Sequence, residues 1–300
     1  MNNKPASKSD LRSAIVNREL AARLAFNEPS LGRTITSLEA SLHLFVEQFG
    51  ATSTEFRITG EDLRDDRAVA RNKLGITRHL LGIRLGAHLT RVVESLSDQR
   101  TLSVAESVRS VLETAGAATY YAAKFSTSAE DVPKLLSQLD RAIYGARFEW
   151  ATWRNVVENK SRQEWEEFLL KQSGERQRSI DSNSPPSVMT FIDALEKSLI
   201  DKLVEPAKRD GKPAPAIGQV RTIYSQLCDF VHPSVGTWMT YGDTEPEALK
   251  VIVSSGSSLN SLRALWFGIG ESVAMMSLLA FGALDDMEKL RTSLVRSDLV

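Results

Sequence analysis

The chain has 300 residues, 42% apolar and 25% charged, the make-up of an ordinary packed protein, which excludes a disordered one. Its 37 basic and 38 acidic side chains leave a net charge of −1, so no overall field draws it to nucleic acid or a membrane surface. A single cysteine, Cys228, excludes an internal disulfide framework and a cysteine-rich zinc site, and fits a reducing, cytoplasmic compartment.

Helical periodicity dominates the chain. Residues 1–9 are polar, lack the apolar stretch of a signal peptide, and are expected to form a disordered tail. Asp10 caps a helix expected to reach Phe26 through Leu11, Ile15, Leu20 and Leu24. Pro29 and Gly32 then punctuate, and a second helix runs through Ile35, Leu38, Leu42, Phe45 and Phe49. After a polar joint at 50–60, a helical segment from Asp62 to Leu74 leads through Gly75 to another ending near Leu96. Ser103 with Glu106 reads as a capping box, opening a helix whose apolar face carries Val104, Val108, Val111 and Leu112 and which continues to Lys124. Ser128 or Asp131, with Pro133, starts a long helix through Leu135, Leu139, Ile143 and Trp150 to Glu158, and a shorter one carries Trp165 and Phe168.

The stretch 181–187, with Pro185 and Pro186, is the clearest break, either a domain boundary or a long surface loop. A helix is expected from Val188 to Val204, then a loop from Glu205 to Pro215, then a helix that ends at Pro233. Residues 236–241 and 249–254 read as two short strands flanking Gly242-Asp243 and Pro246, the one good β signal. A final helix covers 257–293. Within it, 264–284 are long enough to span a bilayer. However, Glu271 would cost roughly 2.5–3.5 kcal/mol to insert, and the glycines and serines dilute the rest, so a buried central helix is expected and no membrane. The expected fold is all-α, a multi-helix bundle of about eight to ten helices with one small β-hairpin near 236–254. Residues 10–300 are read as a single helical domain, with subdivision at 181–187 as the alternative.

The most distinctive segment is Tyr224-Ser-Gln-Leu-Cys-Asp-Phe-Val-His232-Pro233. Tyr224, Leu227 and Val231, with Val220 and Ile223 before them, recur at helical spacing, so this helix buries one face. His232 sits at its end, because Pro233 biases the residue before it out of the α region. In a functional reading His232 is a general acid/base or ligand-orienting group supported by Tyr224 and Asp229. In a structural reading His232 caps the helix and Tyr224 bonds a neighbouring one. Cys228 lies one turn before His232, but no basic residue stands near it in sequence to activate a thiol, so it reads as a small core residue.

Arg109 and Glu113 stand four apart on an earlier helix, with Tyr120 on the same side. Arginine before glutamate is the weaker order for an intrahelical pair, so each is expected to find a partner elsewhere. Arg109 either bridges to the Tyr224 helix or joins His232 in an anion-binding cleft. From Arg67 to Val93 there is no acidic residue, and Arg84, His88 and Arg91 share a helical face that either binds phosphates or pairs with acidic surface such as Glu164, Glu166 and Glu167. No aromatic residue interleaves the basic ones, against a single-strand-binding surface. No glycine-rich phosphate loop, zinc motif or nucleophile elbow is present, so neither metal nor cofactor is expected.

The Tyr-x-x-Leu-Cys-acid-Phe-x-His-Pro helix, preceded by the Arg-x-x-x-Glu of Arg109 and Glu113, resembles a signature of bacterial helical proteins to which no activity is attached. The resemblance covers some 25 residues (about one residue in twelve) and implies only that the two helices face each other. A looser similarity is to the HEPN helical ribonucleases of toxin and phage-defence systems, whose signature is an arginine four to six residues before a histidine. Here Gln226 and Leu227 occupy those places, Arg221 is too distant, and Arg67-x-x-x-x-Asn72 is a faint approximation. The chain is therefore read as a non-catalytic interaction or regulatory protein that works with a protein partner or as a homodimer. The alternative is a metal-independent ribonuclease acting on RNA through His232 with an arginine.

Overall fold

The structure, a computed structural model, describes residues 29–50, 54–56, 59, 62–144, 186–212, 220–231, 242–245, 250–253 and 259–294. The fold is all-α, with seven helices among the described residues. These are α1 (Pro29–Phe49), α2 (Asp66–Ser97), α3 (Thr101–Thr127), α4 (Val132–Tyr144), α5 (Val188–Leu199, continued by Ile200–Val204 and Glu205–Arg209), α6 (Val220–Val231) and α7 (Leu259–Ser293). The helices expected at 10–26, at 145–158 and around Trp165, the tail at 1–9 and most of the 181–187 break lie outside the described residues. Two four-residue strands, β1 (Gly242–Glu245) and β2 (Lys250–Val253), pair antiparallel with Asp243 opposite Ile252. Gly242 and Asp243, expected in the connection, thus belong to the first strand, and 236–241 are not among the described residues.

Three local expectations are corrected. Gly75 does not divide α2, which runs unbroken for 32 residues. A Cβ at Gly75 would lie 2.9 Å from the Phe56 ring, so the glycine admits a close neighbour there instead of ending the helix. The helix from Val188 does not stop at Val204: a π-helical turn, closed by the Glu205 N–H to the Ile200 carbonyl, carries it on to Arg209. Pro206 is tolerated at the start of this last segment, where a missing N–H costs least. The helix ends in a Schellman motif, with Gly211 at φ +66° and the Lys212 N–H bonded to the Ala207 carbonyl at 2.9 Å. The third correction is the start of α3 at Thr101, two residues ahead of Ser103.

The chain divides into two compact units that interleave along the sequence, with α2, α3 and α7 contributing residues to both. The larger unit holds α1, residues 80–97 of α2, 101–120 of α3, α5, α6 and 259–283 of α7. Its core takes Leu38 and Phe45 of α1, Leu89 of α2, Leu112 of α3 and Trp266 of α7, all fully buried. The Trp266 indole N–H donates to Thr34 Oγ1 at 2.9 Å, which satisfies the one polar atom of the largest fully buried side chain among the described residues. A Cβ at Gly116 would lie 2.4 Å from the Phe191 carbonyl, so only glycine lets the backbones of α3 and α5 come this close.

The smaller unit holds residues 66–79 of α2, 121–127 of α3, α4 and 284–293 of α7. Asp131 caps α4, its carboxylate accepting the Lys134 N–H at 3.1 Å. Leu135 and Leu139 point into a core with Leu74 and Phe125. Three of the six cations in the acid-free run meet acids here: Arg71 meets Asp62, Lys73 meets Asp140, and Arg78 meets Glu288 while donating to the Leu284 carbonyl. No helix of the described residues is long and apolar enough to cross a membrane, and Glu271 of α7 is exposed.

Candidate functional site

Tyr224 stands in the first turns of α6, whose apolar spacing buries Val220, Ile223, Leu227 and Phe230 and sinks the Tyr224 ring to 7% exposure. A buried phenol needs a partner for its hydroxyl. It donates to Glu113 Oε1 of α3 at 2.8 Å. Arg109, one turn earlier on α3, donates from Nε to the same oxygen at 3.0 Å. Its guanidinium carbon lies 5.4 Å from the centre of the Tyr224 ring, a cation–π distance. The two α3 residues expected to part company are therefore partners of one another, with Tyr224 as the third member. The shared acceptor makes the weaker residue order worthwhile.

Burial first, and then the hydrogen bond to Glu113, push the Tyr224 phenol up to about 12, against the pull of Arg109. Burial alone would lower the Arg109 guanidinium, but its bonds with Tyr224 and Glu113, and a smaller attraction to Cys228, hold it above its ordinary value. His232, and with it any meeting of His232 with Arg109 or Asp229, lies outside the described residues. Tyr120 turns its ring edge-on to Phe191, 5.6 Å away, and packs α3 on α5.

Arg84, His88 and Arg91 share a face of α2 as their spacing requires. Arg84 Nε donates to His88 Nε2 at 3.4 Å, which places the proton of the neutral ring on Nδ1. Burial, and after it Arg84 and Arg91, hold the His88 imidazole below its usual range, with Glu113 pulling the other way. Glu113 therefore acts electrostatically on both candidate groups, the Tyr224 cluster and the basic face. Among the described residues no group of three or more His, Cys, Asp and Glu side chains could hold a metal ion.

Sequence reasoning missed the buried Lys73–Asp140 pair. The available signal was Asp140 next to Leu139 on the apolar side of α4, a charge where the helical period calls for a core residue. No known protein family, no curated protein and no solved structure matches this chain.

Proposed function

We propose that the protein is a non-catalytic helical interaction or regulatory protein, in which the Tyr224 helix is locked to α3 through Glu113. The observation that carries this reading is the convergence of Tyr224 Oη and Arg109 Nε on a single carboxylate oxygen. The charged and hydroxyl groups that a catalytic set would direct at a substrate are directed at each other. Large apolar side chains left exposed on α2 (Leu80, Ile83) and α7 (Leu278) supply surface for association with a protein partner or a second copy.

The test pairs stability with activity. Tyr224→Phe and Glu113→Ala should each lower unfolding free energy by about 1–2 kcal/mol, and the double variant should lose less than their sum, because both remove the same hydrogen bond. Single- and double-stranded RNA should be cleaved no faster by the wild type than by His232→Ala. The competing reading is a metal-independent ribonuclease of toxin or phage-defence type that uses His232 with an arginine. It gains the protein if His232→Ala keeps the wild-type melting temperature and loses an RNA-cleaving activity that the wild type has.

A further inference from the structure

Between α2 and α3 of the larger unit lies an open groove of about 420 Å³. Its lining follows from helical spacing. Ser103, Ser107 and Ser110 recur at i, i+4 and i+7 on α3, and His88, Arg91, Ser95 and Asp98 recur at i, i+3, i+7 and i+10 on α2. The two helices thus turn polar stripes toward each other where a helical hairpin ordinarily packs apolar ones.

The serines are informative in detail. A serine inside a helix commonly turns its hydroxyl back to the carbonyl one turn earlier. Ser97 does so to Val93 at 2.9 Å, and Ser110 to Glu106 at 3.0 Å. Ser95 and Ser107 do not. Both are nine-tenths buried, at 9% and 8% exposure, both line the groove, and neither hydroxyl has a hydrogen-bond partner among the described residues. The two residues are largely buried, yet their hydroxyls stay open to the groove, where a bound polar molecule would bond them.

The charges narrow the class of that molecule. Asp98 is neutralised by Arg100 at 3.0 Å. Arg91, Glu94 and Glu106 also line the groove and form no ion pair among the described residues. A simple anion would meet two unpaired carboxylates, and a simple cation would meet Arg91. A molecule bearing both charges meets a complement for each: its carboxylate at Arg91, its ammonium at Glu94 or Glu106, and its remaining polar atoms at Ser95 and Ser107. We infer that the α2–α3 groove binds a small zwitterion of the α-amino-acid class. This goes beyond the association proposed above and stands independently of the Tyr224 lock.

The full-length protein would be titrated with L-serine, L-glutamine, L-glutamate and L-arginine at millimolar concentration, following melting temperature and heat of binding. Ethanolamine, which lacks the carboxylate, and glycolate, which lacks the ammonium, serve as truncated probes. At least one amino acid should raise the melting temperature saturably, and both truncated probes should bind about tenfold or more weakly. Arg91→Ala and Glu106→Gln, both at exposed positions, should keep the ligand-free melting temperature and lower affinity about tenfold, and Ser107→Ala should lower it severalfold. The assignment is overturned if no amino acid shifts the melting temperature, if the truncated probes bind as well as the amino acid, or if the three variants bind like the wild type.

Discussion

Each unit contains a charged cluster that ties one helix to another, and the two clusters differ in how much water reaches them. In the smaller unit Lys73 and Asp140 meet with side chains 4% and 1% exposed. In the larger unit Arg109 and Glu113 keep 34% and 22% of their side-chain surface, with the Tyr224 phenol joining them. Burial pushes Lys73 down and Asp140 up, each toward its neutral form, with the partner opposing. At Arg109 the partners outweigh burial and favour the charged form. A dry pair is therefore held near the balance of desolvation against attraction, and its members are of use only together. A half-wet cluster keeps a favourable charge state and can lose a member at modest cost.

The largest effect should come from splitting the dry pair. Lys73→Met or Asp140→Asn alone leaves an uncompensated buried group and should lower unfolding free energy by about 3–5 kcal/mol in chemical denaturation. Replacing both, as Lys73→Met with Asp140→Leu, should return stability to within about 1 kcal/mol of the wild type or above it, because neither desolvation penalty remains. Single losses under about 1 kcal/mol would mean that water reaches the pair, and the contrast with the Arg109 cluster would collapse.

This contrast also explains what was legible in advance. The apolar spacing that buries Leu38, Leu89, Leu112 and Leu227 is local and periodic, so helices α1, α2, α3 and α6 could be read from it. The facing of the Arg109 and Tyr224 helices followed from a motif resemblance, whereas the shared oxygen at Glu113 is a matter of rotamers that no spacing encodes. Gly75 was misread because a glycine that ends a helix and a glycine that admits a neighbouring ring look alike until Phe56 is in place. The polar stripes of the α2–α3 groove were half visible. His88 and Arg91 stood out as basic, but Ser95 and Ser107 gain meaning only once the hydroxyls are seen to leave their own helix unbonded.

A second experiment sharpens the wet side of the comparison through pH. The phenol of Tyr224 is raised from its ordinary 10.0 to about 12 in the folded protein. For an acid whose folded value is the higher, the stability tied to the protonated form is fully present below the unfolded value and is lost as pH rises through the folded one. The chain has five tyrosines, so a phenolate absorbance titration should show one late component near 12 that disappears in Tyr224→Phe. The same substitution should flatten the fall in stability between pH 10.0 and about 12. A late component that survives in Tyr224→Phe would assign the raised phenol to another tyrosine and weaken the lock.

The smallest effect is expected at a close but exposed ion pair. Arg221 of α6 places Nε at 2.7 Å and a terminal nitrogen at 2.6 Å from Asp193 Oδ1 of α5, with side chains 58% and 46% exposed. If contact distance ruled, Arg221→Ala would cost more than losing the Arg109–Glu113 pair, which is longer at 3.0 Å. If water rules, the pair is screened, and holding two long side chains in one geometry cancels most of its attraction. The loss should then be at most about 1 kcal/mol and vanish in molar salt. Arg221→Ala, Asp193→Ala and the double variant, unfolded at low and high salt, give the coupling directly. A coupling above about 2 kcal/mol that persists in high salt would show that exposure is not what separates strong links from weak ones in this protein, and the dry and wet pairs would need another explanation.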